Sequence, residues 1–195
     1  MRTLTRSGRR TGSLIALLLA LLSPPAPAAA QCYSVDEAHG RVGFEIDQAG
    51  SPFSGSFHRF GGEICLTGDQ VIRVDVHLDP GSVDTGLPAL DTALLGEEFF
   101  AVADHPLARF ASERIERAGK DLVAHGTLTL KGISRPLDVA FTLARAGDGY
   151  TVSGSLVFQR LDFQVGTGEW ANTEWLGGSV RVIYEARLEA KPGSG

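Results

Sequence analysis

The sequence predicts an all-β domain of antiparallel strands with one short helical segment near residues 87–100. Two observations carry this: apolar and polar residues alternate with a period of two in most of the chain, and short glycine-rich turns separate the alternating runs. In order, Val42, Phe44 and Ile46 alternate with Arg41, Glu45 and Asp47, and Ile72, Val74, Val76 and Leu78 alternate with Arg73, Asp75, His77 and Asp79. Leu137, Val139, Phe141 and Leu143 repeat the pattern, and Val180, Val182, Tyr184, Ala186 and Leu188 end it. Each run reads as a strand with one apolar and one solvated face. The turns are Ala49-Gly50-Ser51-Pro52, Thr67-Gly68-Asp69, Ala118-Gly119-Lys120-Asp121 and Ala146-Gly147-Asp148-Gly149. The reading gives eight strands at 41–48, 53–66, 70–79, 108–116, 121–131, 136–145, 149–161 and 178–190. Between the third and fourth, Leu87, Leu90, Leu94 and Leu95 recur at helical spacing. Alternation alone does not choose between a sandwich and a closed barrel.

Residues 1–30 read as a secretory signal. Arg2, Arg6, Arg9 and Arg10 precede the apolar run Leu14–Leu22, and Ala28-Ala29-Ala30 supplies small residues for cleavage after Ala30. The expected destination is an oxidising compartment outside the cytoplasm. All 23 acidic residues but only 14 of the 18 basic ones follow residue 30, so that part carries a net charge of −9. Such a charge argues against nucleic acid or an anionic membrane surface as the main partner. Residues 31–190 fit one domain, and 191–195 read as a flexible tail. In an oxidising compartment an isolated cysteine pair is normally bridged, so Cys32 and Cys65 are expected to form a disulfide. Two free thiols with a redox role are the alternative, which no Cys-x-x-Cys spacing supports.

Five motifs point to a family. They are Tyr33-Ser34-Val35-Asp36-x-x-His39; Phe53-x-Gly55-x-Phe57-x-x-Phe60-x-Gly62; the stretch from Ser82-Val83-x-Thr85 through Asp91-x-x-Leu94 and Phe99-Phe100 to His105-Pro106-x-x-x-Phe110-x-Ser112; Gly126-x-Leu128-Thr129-Leu130-Lys131-Gly132-Ile133-Ser134-Arg135-Pro136; and Phe158-x-Arg160-x-Asp162-Phe163-x-Val165-Gly166. In this order, over about 130 residues, they resemble the YceI-like family of bacterial periplasmic proteins. Gly40, Ala93 and Gln164 depart from that pattern, where serine, histidine and glycine are frequent. The resemblance implies an extended, eight-stranded lipocalin-like antiparallel barrel with an apolar channel. It further implies a polyisoprenoid, isoprenoid quinone or other amphipathic lipid as ligand, and a role in transport, storage or stress response. It allows a homodimer and a transient membrane-protein partner, and it implies no cofactor and no catalytic residues.

The residues themselves bear on the same question. Phe44, Phe57, Phe110, Phe141 and Phe158 fall on inward faces of five predicted strands, and Phe99 and Phe100 come from the helical segment. With Leu128 and Phe163 they are the expected apolar channel, although any single phenylalanine is better explained by a filled core. Gly126 and Gly154 share faces with large apolar residues and are expected to leave room between the walls. Asp91, His105, Arg160 and Asp162 are expected to meet a ligand head group; an Arg160–Asp162 ion pair or a turn-holding role competes with that reading. Enzymatic readings are weak: His39, His58, His77, His105 and His125 lack zinc-ligand spacing, and no nucleophile elbow or phosphate loop is present. The alternative to a carrier is a packed barrel that binds a membrane redox or stress-response protein by its outer face.

Overall fold

The structure is a computed structural model that describes residues 29–191. The expected export signal falls almost entirely on residues 1–28, outside the described residues, as does most of the expected tail. The elements are β1 (Ala30–Gln48), β2 (Ser51–Phe57), β3 (Phe60–Thr67), β4 (Gln70–Leu78), β5 (Val83–Asp84), α1 (Pro88–Leu94), β6 (Ala108–Ala118), β7 (Asp121–Leu130), β8 (Ile133–Ala146), β9 (Gly149–Gln159) and β10 (Leu176–Ala190). Consecutive strands pair antiparallel from β6 to β10, β4 joins β6 to β3, and β10 returns to pair with β1, which pairs with β3. Eight strands therefore close a ring, and no edge remains in it.

The closure depends on the length of β1. Its first half pairs with β3, with Cys32 opposite Cys65 and Tyr33 opposite Ile64. Its second half pairs with β2, with Val42 opposite Phe57 and Phe44 opposite Gly55. The predicted strand 53–66 is thus two strands broken at His58-Arg59, and the predicted strand 41–48 begins eleven residues earlier, at Ala30. Between the halves the register against β10 slips from Asp36↔Arg187 to Gly40↔Ala186, so residues 37–39 bulge out. The Asp36 carboxylate holds the bulge, accepting from the Ala38 amide at 3.0 Å and from His39 Nδ1 at 2.6 Å. That bond from His39 keeps the Asp36 carboxyl below its ordinary pKa. Glu37 Oε2 accepts from the Phe60 amide at 3.2 Å, which ties the bulge to the start of β3.

The helix is shorter than the leucine spacing suggested. Pro88 starts it, and from Leu95 the chain leaves the helix for turns through Asp104.

The two ends of the barrel differ. At one, the β3–β4, β6–β7 and β8–β9 turns meet the outer ends of β1 and β10. Here Tyr33 and Tyr150 stack edge to face at 4.9 Å, both buried, among Leu66, Val71, Leu122 and Leu188. The disulfide Cys32–Cys65 sits at this end. At the other end, two long connections, residues 79–107 and 160–175, cross the opening beside the β1–β2 and β7–β8 turns. The outer wall is polar: Arg109 holds Asp75 with two bonds of 2.9 and 2.6 Å, and Thr129 pairs with Ser134. Apolar inside and polar outside is the reverse of a membrane-spanning barrel. No described helix is long and apolar enough to cross a membrane.

Candidate ligand cavity

The inward residues of the ring do not fill it. They enclose a cavity of about 320 Å³ whose walls are almost wholly hydrocarbon. Along β1 the wall is Val42, Phe44 and Ile46; beside it stand their register partners Tyr184, Val182 and Val180 of β10, then Leu156 of β9 and Phe141 of β8. The Tyr33–Tyr150 end is packed shut. At the opposite end half-buried Phe53, Leu90, Leu94 and Trp170 and exposed Gln48 join the lining, so the cavity reaches the surface between α1 and the β1–β2 turn.

The structure brings most of the sequence-predicted apolar residues together here. Phe44, Phe57, Phe99, Phe100, Phe110, Leu128, Phe141 and Phe158 all line the cavity. Phe44 and Phe57 approach at 5.5 Å, and Phe57 and Phe100 at 6.0 Å, so aromatic rings run from the wall to the mouth. Phe163 is not in the lining. It is 2 % exposed and packs edge-on against Phe158 at 5.4 Å, behind the wall.

The predicted polar residues are placed differently. Asp91 accepts from the Thr85 amide at 2.9 Å and its hydroxyl at 2.6 Å, which ties α1 to the residue that follows β5 and uses the carboxylate locally. The His105 ring lies over Gly132 in the β7–β8 turn. Asp162 is exposed, and neither it nor His105 lines the cavity. Arg160 does line it, at 1 % exposure, but its guanidinium faces the backbone. Nε donates to Gly177 O at 2.8 Å, Nη1 to Val165 O and Gly166 O at 2.9 and 2.6 Å, and Nη2 to Trp170 O and Leu176 O, both at 2.7 Å. All five N–H groups are used, none on Asp162. Burial lowers the Arg160 pKa from its ordinary value. This side chain is the clasp that folds residues 160–176 across the barrel end.

Gly126 and Gly154 do not open space for a ligand. A Cβ on Gly126 would lie 2.2 Å from Ala111 O, where β6 bulges between Ser112 and Arg114. A Cβ on Gly154 would lie 2.5 Å from the Tyr184 hydroxyl. The first glycine permits close backbone approach, and the second makes room for a phenol. Tyr184 was missed as a wall residue, although its place in the Val180-Val182-Tyr184 alternation marks it as inward. Its hydroxyl donates to Ala140 O at 3.1 Å, and burial pushes its pKa up, so it stays a neutral donor. Among the described residues no buried side-chain polar atom lacks a hydrogen-bond partner. The walls therefore offer apolar contact alone, with no buried side-chain polar group left unpaired among the described residues.

A closed eight-stranded antiparallel barrel, hollow and apolar inside, defines the class of small ligand-holding barrels. Within that class, the YceI-like domain model matches residues 33–188, and the chain belongs to the YceI-like family. A UPF0312 protein of Enterobacter sp. (strain 638) is 31% identical over 160 residues, covering 75% of this chain and 82% of that protein. Protein YceI of Salmonella arizonae is 32% identical over 136 residues, covering 67% and 71%. Among solved structures, BcnA of Burkholderia cenocepacia aligns with a TM-score of 0.75 at 28% identity, covering 78% of this chain and 98% of that one. A polyisoprenoid binding domain from Saccharophagus degradans aligns at 0.66 and 18% identity, covering 83% and 99%, a likeness of fold.

Proposed function

We propose that this protein is a periplasmic carrier that holds the chain of an apolar lipid, a polyisoprenoid or an isoprenoid quinone, inside the barrel. The observation that carries the reading is the hydrocarbon-walled cavity, shut at the tyrosine end and reaching the surface at the other. The polyisoprenoid binding of a structural neighbour and the disulfide agree with it, as does the signal-like first thirty residues for the compartment. No reaction is assigned: His77 and Glu185, which touch the lining, alternate with its apolar residues on β4 and β10, and Glu185 is bonded to Arg41.

The dimensions set the size of the cargo. The lining follows β10 from Leu176 to Ala186, about 33 Å of strand, or ~25 Å along the axis at a barrel tilt near 40°. An extended chain advances about 1.2 Å per single bond, since a residue of three bonds spans ~3.5 Å, so roughly twenty chain atoms fit. At ~0.3 kcal/mol per atom this gives about 6 kcal/mol, a dissociation constant of tens of micromolar. Such affinity suits a protein that must release what it holds.

The test is organic extraction of protein purified from its native source without detergent, followed by mass spectrometry. A co-purifying isoprenoid is expected, and Val182→Trp, which thrusts an indole into the cavity, should abolish it while the barrel stays folded. Empty extracts, together with no uptake of quinone or polyprenol analogues by the wild type, would sink the carrier reading.

A further inference from the structure

The cavity mouth has a surface of its own, distinct from the walls. Eight large hydrophobic residues are exposed among the described residues, and five of them, Leu87, Leu95, Leu107, Leu161 and Trp175, lie in the two connections that cross the mouth. Trp175 is the most exposed, at 67 %. The rim is continuous with the opening: Leu87 caps the helix whose Leu90 and Leu94 line the cavity, and Trp175 precedes lining residue Leu176. The Trp175 carbonyl accepts from the Ala49 amide at 2.8 Å, which seats it beside the β1–β2 turn. The connections meet across the end, because the Glu98 carbonyl accepts from the amides of Gly166 and Thr167 at 2.7 and 3.0 Å. Solvated apolar side chains grouped around an aperture mark a contact face.

Charge decides what the face fits. Residues 79–107 contain no lysine or arginine, and residues 160–175 contain only Arg160, which is buried and fully bonded. The same two segments expose Glu97, Glu98, Asp104, Asp162, Glu169 and Glu174. The cations that meet these segments are Arg59, paired with Asp79 at 2.8 Å, and Lys131, whose ammonium is spent on the carbonyls of Glu97 and Gln164. A leucine and tryptophan rim by itself would settle on a bilayer, but a ring of carboxylates around it opposes an anionic lipid surface.

We propose that the mouth docks on a protein whose own surface carries lysine and arginine around an apolar centre, and that cargo passes between the two there. The inference rests on the carrier reading for its purpose and on the acidic, apolar rim for its partner. The rim carboxylates steer the encounter, and Leu87, Leu161 and Trp175 seal it against water.

The test loads the full-length mature protein with a fluorescent isoprenoid-quinone analogue, confirms loading, and then follows transfer to three kinds of vesicle. One is phosphatidylcholine, the second contains phosphatidylglycerol, and the third is phosphatidylcholine bearing a tethered amphipathic peptide of leucine and lysine. At low salt, transfer to the peptide vesicles should be about tenfold faster than to neutral ones, the lower end of electrostatic steering, and should lose that advantage as salt rises. Phosphatidylglycerol vesicles should be slowest. The double substitution Leu87→Ser with Trp175→Ser should slow transfer to every acceptor without changing loading. Glu97→Lys, Glu169→Lys and Glu174→Lys together should reverse the order of acceptors. Transfer to phosphatidylglycerol as fast as or faster than to the peptide vesicles would assign the face to the bilayer and overturn the proposal, as would a charge-reversed variant that behaves like wild type. Failure to load, seen before any acceptor is added, would instead bring down the carrier reading and this inference with it.

Discussion

At the scale of single residues, Arg160 and Gln164 show how the mouth end is held. Arg160 is a buried cation without a carboxylate; five backbone carbonyls from three stretches of chain take its place. Arg160→Met keeps the length of the side chain and removes every donor. It should cost about 3–5 kcal/mol, the scale of several buried acceptors left unpaired. Urea unfolding measures the loss, and limited proteolysis should find new cleavage within residues 160–176. A loss under 1 kcal/mol would show that water replaces the clasp. Gln164, four residues on, sits at φ 54°, in the left-handed region, where the family pattern favours glycine. Its amide and carbonyl are both engaged, to Leu161 O and from Lys131, so the backbone must stay there. Gln164→Gly relieves about 1–2 kcal/mol of strain and returns about 1 kcal/mol through the looser unfolded chain, for a net gain near ~0.5 kcal/mol in unfolding free energy measured in urea. A net loss would mean that the exposed glutamine side chain makes a contribution of its own. A turn-holding role for Arg160 was one of the readings the sequence left open, and the departure of Gln164 from a frequent glycine was visible there. The sequence marks Arg160 as polar beside a strand end, but its five acceptors come together only when residues 160–177 fold over the barrel.

At the scale of elements, the strands were the legible part, because each alternating run buries one face and a slip by one residue would turn that face outward. Where alternation failed, so did the boundaries. Glu37, Ala38 and His39 interrupt the pattern, which hid the first half of β1, yet they are a bulge inside one long strand. The break between β2 and β3 falls at His58-Arg59, which carries no glycine or proline to signal it. The amides of both residues are instead met by Ser82 Oγ, at 3.2 and 2.9 Å, from a segment more than twenty residues away. The Cys32–Cys65 bridge joins facing residues of β1 and β3, in the part of β1 that lies before the bulge. It closes a loop with a sequence separation of 33, so replacing both cysteines by alanine should cost about 3–4 kcal/mol through the unfolded state. Reduction of the wild type should give the same shift in chemical unfolding, with circular dichroism at low denaturant unchanged. If reduction leaves the midpoint in place, the strand pairing alone fixes this end.

At the scale of the whole molecule, surface carboxylates set the response to acid. Asp75, bonded by Arg109, Asp36, bonded by His39, and Asp84, bonded by His58, all have pKa values below the ordinary carboxylate range. A depressed folded value contributes stability that is whole above the unfolded pKa of about 4 and is lost as pH falls through the folded one. The thermal midpoint should therefore hold between pH 7 and 5 as far as these groups decide it, and fall below pH ~4. Asp75→Asn should flatten part of that fall. A midpoint that climbs on acidification would contradict the assignment. The hollow interior was legible in part: eight of the nine apolar residues chosen for the channel line one cavity, five of them phenylalanines that alternation places on inward strand faces. That the barrel stays hollow was not legible, since filled and empty interiors use the same residues.

The paired rings of Tyr33 and Tyr150 turn that hollow into a dead end. On the carrier reading proposed above, a lipid would not thread through this protein; it would back out by the way it came, tail last in release as it was tail first in loading. The depth from mouth to tyrosines then acts as a ruler. On that reading, tails of up to about twenty extended atoms would be swallowed whole, and anything longer would fold back on itself or leave its remainder outside. Homologous chains of graded length offered to one barrel would read out that graduation directly.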